Sequence, residues 1–471
     1  MRILIILSCI FLFSGCKPTT AHKEQLKVDN VIFITIDTLR RDRVSLYGYP
    51  FETSPFLTKL SENGVVFDDA ITASSQTAPS HTTMFTGLYP SNHGVVKNGL
   101  KLSSDKFSIF NLLQANGIKG QAFTATKFLN GATGFPADTT FVYKSRVQSD
   151  TYVKGDPKGS SQYADTMLKR AKDWLTTVHT EERFFLWLHL FDVHNWYFLR
   201  RLPKRYQDQI AQKPDPQKMS YWIDQQKIDP KLFPSEELMF QQLSSYDLGL
   251  SYVDDTISDL FRFVSEKNFS GNTLWVILSD HGEGLGNHNY LLHEKNLYQE
   301  QLRIPLLFYI AGEKQFQKRR IKTPVSTVDL LTTLADLLDL KLPDNYRSDG
   351  RSFYTLFVDD KPLAANDVRF SQRRPKDGGK RKGWPSKNKY AIQDNRFKYI
   401  YSSSNSEKDE FYDLKKDPFE LHNILKDGDP KQAELKQKIS DIYTSFKTSP
   451  DREQEVVAPE IVKELQSLGY M

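Results

Sequence analysis

Short apolar runs closed by turn residues recur along the chain at Val31–Ile36, Gln121–Phe123, Phe184–Leu188, Leu274–Leu278 and Ile304–Tyr309. Such runs, apolar on successive positions, predict buried strands of a mainly parallel sheet, since crossover helices cover both faces of that sheet. Between them, Pro55–Glu62, Phe107–Ala115, Tyr163–Thr177, Leu243–Lys267 and Val328–Leu338 carry apolar residues at helical spacing. Strands alternating with helices predict a doubly wound α/β domain over residues 29–360. The pattern then shortens. Tyr390–Ile392, Phe397–Tyr401 and Phe411–Leu414 read as a small antiparallel sheet, followed by a helix near Lys431–Phe446, in a C-terminal subdomain of residues 361–471. Arg373–Lys389, rich in Arg, Lys, Gly and Pro, reads as a solvated loop, with a substrate-facing basic lip as the alternative.

The first residues break this pattern. Arg2 precedes the apolar run Ile3–Phe13 and then Ser14-Gly15-Cys16. A positive start, an apolar stretch too short to span a bilayer, and small residues predict an export signal over residues 1–15. Ser14-Gly15-Cys16 resembles a bacterial lipobox, with Phe13 where Leu is usual. That resemblance implies diacylation of Cys16 and a lipid anchor on the periplasmic or cell-surface face of a bacterial membrane, with residues 16–28 as a polar tether. The only other cysteine is Cys9, so the mature chain would hold no thiol for a disulfide or for thiolate ligation. Over 471 residues, 63 Lys and Arg against 58 Asp and Glu give a net charge of +5, which lends nucleic-acid binding no support.

Ligands of an open α/β sheet collect beyond the carboxyl ends of its strands. Asp37 follows the first apolar run, His189 and Asp192 the middle one, and Asp280-His281 a late one. Each alone reads as a cap or a turn. In Thr77-Ala-Pro-Ser-His81 the proline can open a helix, which sets Thr77 near the positive end of the helix dipole.

The stretch from Thr77 through His81, Gly87 and Pro90 to His93-Gly94 resembles the sulfatase signature. It is more similar still to the nucleotide pyrophosphatase/phosphodiesterase version, in which Thr precedes x-Pro-Asn-His. With Asn98-Gly-Leu-Lys-Leu102, Ser279–Glu283, Tyr298–Pro305 and Phe411–Glu420, the resemblance to the sulfatase-like branch of the alkaline phosphatase superfamily runs through nearly the whole mature chain. It implies that Thr77 is the nucleophile and that His81 takes the place of the sulfatase arginine. It also implies that Asp37, Thr77, Asp280 and His281 hold a divalent metal, and that Asn98, His194 and His293 contact the substrate. His293 lies thirteen residues beyond Asp280, as a histidine does in related phosphoethanolamine transferases, and His288 is its rival. For a second metal, Asp192 is the best remaining ligand. Calcium-type sulfatase sites have Asn where this chain has His281, so the imidazole favours Zn or Mn, with Ca as the alternative.

Sulfatases convert Cys or Ser to formylglycine, and oxidised Thr would give a ketone that hydrates poorly. A Thr alkoxide can instead attack phosphorus and leave a phosphothreonine. The sequence therefore predicts an anionic ester substrate, with phosphoesters, diesters above all, ahead of sulfate esters. The alternatives are a sulfuric ester hydrolase and a noncatalytic anion-binding lipoprotein.

Overall fold

The computed structural model describes residues 26, 28–126, 129, 163–197, 202–210, 213–311, 319–358, 368–374, 388–403 and 408–446. The export signal, Cys9, Cys16 and nearly all of the tether lie outside them. Among the described residues no helix is long and apolar enough to cross a membrane.

The main sheet has seven strands, in the order Lys119–Thr124, Phe184–Leu190, Asn30–Ile36, Thr273–Ser279, Leu306–Ile310, Val65–Phe67 and Arg319–Ile321. The first four are parallel to one another, Leu306–Ile310 is antiparallel to both its neighbours, and Val65–Phe67 pairs in parallel with Arg319–Ile321. Every residue of Asn30–Ile36 and Phe184–Leu190 is buried, which is why these segments are apolar except at Asn30, Thr35 and His189. The helices Ala164–Leu175 and Glu236–Lys267 pack together, and the second also packs on Pro55–Ser61. The expected mainly parallel α/β sheet is thus present.

Pro305 breaks the predicted run Ile304–Tyr309. A proline has no N–H for the ladder. Arg303–Ile304 pairs instead with Ala70–Ile71 in a small sheet, while Leu306–Ile310 joins the main one.

The C-terminal sheet is antiparallel throughout, Arg369–Arg373, Lys389–Gln393, Phe397–Ser402 and Glu410–Asp413 in that order. Leu435 and Ile439 of helix Pro430–Phe446 pack on Phe370, Ile392 and Tyr399 at one face. Ala391, Ile400 and Tyr412 of the other face meet Ile71, Leu297 and Leu302. The ends of the stretch read as a solvated loop are a correction to that reading. Arg373 and Lys389 are opposed in the ladder and buried, and residues 375–387 between them lie outside the described ones. The first strand escaped the apolar pattern because its polar groups bond to the main body: Ser371 Oγ donates to the Thr72 carbonyl at 2.6 Å and the Gln372 amide to the Ala73 carbonyl at 2.9 Å.

Candidate active site

Three neighbouring strands end together, which brings Asp37, His189 and Asp280 side by side. The chain turns at Thr38 with φ +58°, a conformation rare for a β-branched residue. Three bonds fix it there. The Thr38 amide donates to Asp280 Oδ1 (3.2 Å), its hydroxyl to the Asp37 carbonyl (2.7 Å), and Tyr246 OH to the Thr38 carbonyl (2.8 Å). Beyond the other strand, Gly282 is required by close packing: a Cβ there would lie 1.9 Å from the Glu300 carbonyl oxygen. The Gly282 and Glu283 amides donate to the Gln301 and Glu300 carbonyls and anchor the Asp-His-Gly turn.

Thr77 opens the wholly buried helix Thr77–Thr86. Ser80 Oγ ties this helix to the Asp280 carbonyl (2.8 Å), and Asn98 Oδ1 accepts the Ala78 amide (2.8 Å). Thr77 Oγ1 comes to rest 3.3 Å from His281 Nε2.

The bonds of His281 orient its ring. Nδ1 donates to the Gly282 carbonyl (2.9 Å), which turns Nε2, the nitrogen that carries the lone pair in a neutral ring, toward Thr77 Oγ1 and Asp280 Oδ2, the latter 3.4 Å away. An imidazole oriented through its far nitrogen is what a metal ligand requires. Asp37 Oδ1 and Asp280 Oδ2 are both buried without a hydrogen-bond partner. Burial pushes the Asp37 carboxyl up to about 7, and burial and then Asp37 raise Asp280. Two buried carboxylates with idle oxygens beside an imidazole lone pair fit a divalent cation, and Asp37, Asp280 and His281 form one group able to hold it.

His81, His189 and Asp280 form a second such group, but the bonding of His81 disfavours it. His81 Nδ1 donates to the Thr77 carbonyl (2.8 Å), and Nε2 accepts from Thr35 Oγ1 (3.0 Å), which itself accepts from Trp187 Nε1 (3.0 Å). Both nitrogens are committed, and burial pushes the ring down to about 3, leaving it neutral. In this arrangement His81, expected to take the place of the sulfatase arginine, braces the helix of Thr77 from below. His189, singled out only by its place at a strand end, donates from Nε2 to Asp37 Oδ2 (3.2 Å) and orients it. Asp192 belongs to neither group.

The remaining predicted residues line one side. The His293 ring lies 4.7 Å from that of His281 and 5.0 Å from that of His194, which stacks on Phe191 at 4.1 Å. His293 Nδ1 is 3.2 Å from Glu283 Oε1, while Trp196 Nε1 donates to Glu283 Oε2 at 3.1 Å. Burial pushes Glu283 up to about 7. Asn98 Nδ2 donates to Glu294 Oε1, joining the His293 loop to the helix of Thr77. His288, the rival to His293, bonds instead to Glu300 and to the Glu420 carbonyl. Sequence reasoning assigned no role to Glu283, Glu294 or Trp196. Each sits within two residues of a singled-out histidine, and Glu283 also closes the Ser279–Glu283 stretch.

A family model described as sulfatase matches residues 29–340, and one described as the C-terminal part of N-sulphoglucosamine sulphohydrolase matches residues 286–446. An ulvan-active sulfatase of Formosa agariphila is 23% identical over 94% of this chain and 88% of its own length. A multifunctional alkaline phosphatase superfamily protein of Trinickia caryophylli is 23% identical over 89% and 95%. Among solved structures, the phosphonate monoester hydrolase of Agrobacterium radiobacter superposes with a TM-score of 0.68 at 20% identity, covering 89% of this chain and 95% of that one.

Proposed function

Since the chain belongs to the sulfatase family, whose model spans residues 29–340, we propose that it is a metal-dependent phosphoester hydrolase or transferase working through a covalent Thr77 intermediate. The observation that carries this reading is the approach of Thr77 Oγ1 to His281 Nε2 at 3.3 Å, at a helix N-terminus flanked by two carboxylates with idle oxygens. A divalent cation held by Asp37, Asp280 and His281 would lower the pKa of the Thr77 hydroxyl and offset charge on the reacting ester. Zn or Mn suits the imidazole, and Ca remains the alternative.

Thr77 Oγ1, as the alkoxide left once its proton has passed to solvent, attacks phosphorus as the bond to the leaving oxygen breaks. His194 and His293 stand together beside His281 and are the groups to steady the non-bridging oxygens and protonate the leaving oxygen. Asn98 holds the helix amide of Ala78 and through it the height of Thr77. Water or an acceptor alcohol then clears the phosphothreonine. The names of the relatives favour a second reading, sulfate ester hydrolysis, since most are sulfatases. Assay of the purified protein on matched chromogenic phosphate monoester, phosphodiester and sulfate ester substrates separates the two. Fast turnover of the sulfate ester alone would overturn the phosphoester reading. We further propose that lipidated Cys16 carries the enzyme on an exported membrane face, where it meets an anionic ester substrate.

A further inference from the structure

The loop from Gly284 to Glu294 closes on itself like a hairpin: Gly284 and Leu292 exchange both backbone hydrogen bonds, at 3.2 and 2.8 Å, and the Gly286 amide donates to the Tyr290 carbonyl. Four non-glycine residues in it, His288, Asn289, Leu292 and Glu294, have φ between +52° and +68°. Side chains in that region persist only where their surroundings over-determine them. Two adjacent residues supply the restraint. Asn287 Oδ1 accepts from Arg40 Nη1 (2.6 Å), and its amide donates to the Gln226 carbonyl. On the other side, His288 Nδ1 meets Glu300 Oε1 at 2.8 Å, Nε2 meets the Glu420 carbonyl at 3.2 Å, and the ring stacks on Tyr298 at 3.8 Å and 15°. A carboxylate and a carbonyl only accept, so both nitrogens must donate and the ring is an imidazolium. Burial opposes that charge, but Glu300 and Glu420 outweigh it and hold the ring up to about 9.

The far end of this contact is itself pinned. Glu420, with φ +54°, forms a fully buried ion pair with Lys398 of the C-terminal sheet (2.7 Å) and accepts the Gln299 amide (2.6 Å). Tyr298 OH donates to Glu410 of the same sheet (2.7 Å). The loop therefore emerges from this clamp and ends directly on His293 and Glu294, the two residues it presents to the site.

We propose that His288 is a positioning residue, an imidazolium bolt that ties the C-terminal sheet to the 284–294 loop and so sets the place of His293 at the reacting ester. The proposal rests on the reading of His293 as a substrate-facing group, not on the identity of the ester or of the nucleophile. His288→Asn tolerates the positive φ but is too short to bridge Glu300 and Glu420. Misplacement by about an ångström costs on the order of a hundredfold, so kcat should fall about ten- to a hundredfold with KM changed far less.

A mutant cycle with His293→Ala, run on whichever ester the wild type turns over, tests whether the effect passes through His293. In the His293→Ala background, His288→Asn should lower kcat less than about threefold. Equal losses in both backgrounds, a wild-type rate for His288→Asn, or a wild-type rate for His293→Ala each overturn the proposal. Glu300→Ala removes the acceptor of the same bolt from the other side and must reproduce the cycle if His288→Asn fails to fold. Thr77→Ala, run in parallel, tests the nucleophile independently.

Discussion

Thr77→Ala removes one hydroxyl and one methyl from the first position of a buried helix. The hydroxyl meets His281 Nε2 at 3.3 Å and also bonds to Asp37, and a hydrogen bond of this kind is worth about 0.5–1.5 kcal/mol. Alanine is the better helix former and returns roughly half a kcal/mol of that. With about 1 kcal/mol more for the buried methyl, the fold should weaken by about 1–2 kcal/mol, a melting shift of a few degrees in a chain of this size. Asp37, Asp280 and His281 keep their mutual contacts, so metal content should be largely retained. Turnover should respond on another scale, because loss of a covalent nucleophile costs on the order of ten-thousandfold or more. That is about 5 kcal/mol in the barrier, several times any plausible structural cost. In the wild type, brief incubation with a chromogenic phosphodiester, acid quench and peptide mass spectrometry should find a phosphoryl group on the peptide that contains Thr77. If Thr77→Ala keeps the wild-type rate with normal metal content, the covalent reading is refuted.

Elemental analysis of native protein should find one tightly bound transition metal per chain, and calcium alone with full activity would overturn the argument from His281. Because burial holds Asp37 up to about 7, metal uptake by the stripped protein must displace a proton there, and the apparent affinity should rise with pH through about 7. His288 makes the opposite contribution to stability: its folded pKa, about 9, exceeds the ordinary 6.5, so its stabilisation is complete below 6.5 and lost as pH rises through about 9. Melting of wild type against His288→Asn across that window should converge at the alkaline end; a constant gap would contradict it. Detergent fractionation of exported wild type and Cys16→Ser should differ, and if both stay in the soluble fraction the lipid anchor is wrong.

The elements that could be read from sequence are those whose burial is uniform. Asn30–Ile36 and Phe184–Leu190 are mostly apolar because both sheet faces are covered, and their ends pointed to Asp37 and His189. Val65–Phe67 and Arg319–Ile321 are three residues each, and the second is mostly charged, so neither makes a pattern. The helix predicted from Leu243 starts at Glu236, because Ser235 Oγ caps the Leu238 amide (3.2 Å) and two glutamates favour the first turn, signals that are polar rather than apolar. At the site, Asp37, Thr77, Asp280 and His281 were legible through motif and strand position, and they do converge. The roles of His81 and His189 were not, since a sequence says that a histidine is near the site but not which nitrogen carries its proton. That depends on Thr35, Trp187 and the Thr77 carbonyl, which meet only in the fold.

The division of labour within the site follows from the elements that supply it. Asp37, His189 and Asp280 stand on strand ends locked in one parallel ladder, and Thr77 on a helix bonded to the Asp280 carbonyl, so the metal-capable group moves only if the core moves. His293 and Glu294 come from a strained loop whose restraints, Glu300, Glu420 and Tyr298, are shared with the C-terminal sheet. A substitution in that sheet can therefore shift the groups proposed to face the ester without disturbing Asp37, Asp280 and His281. On this geometry, selectivity between esters should be altered from the C-terminal sheet, whereas the chemistry of attack should be altered only from the strand ends and the helix of Thr77.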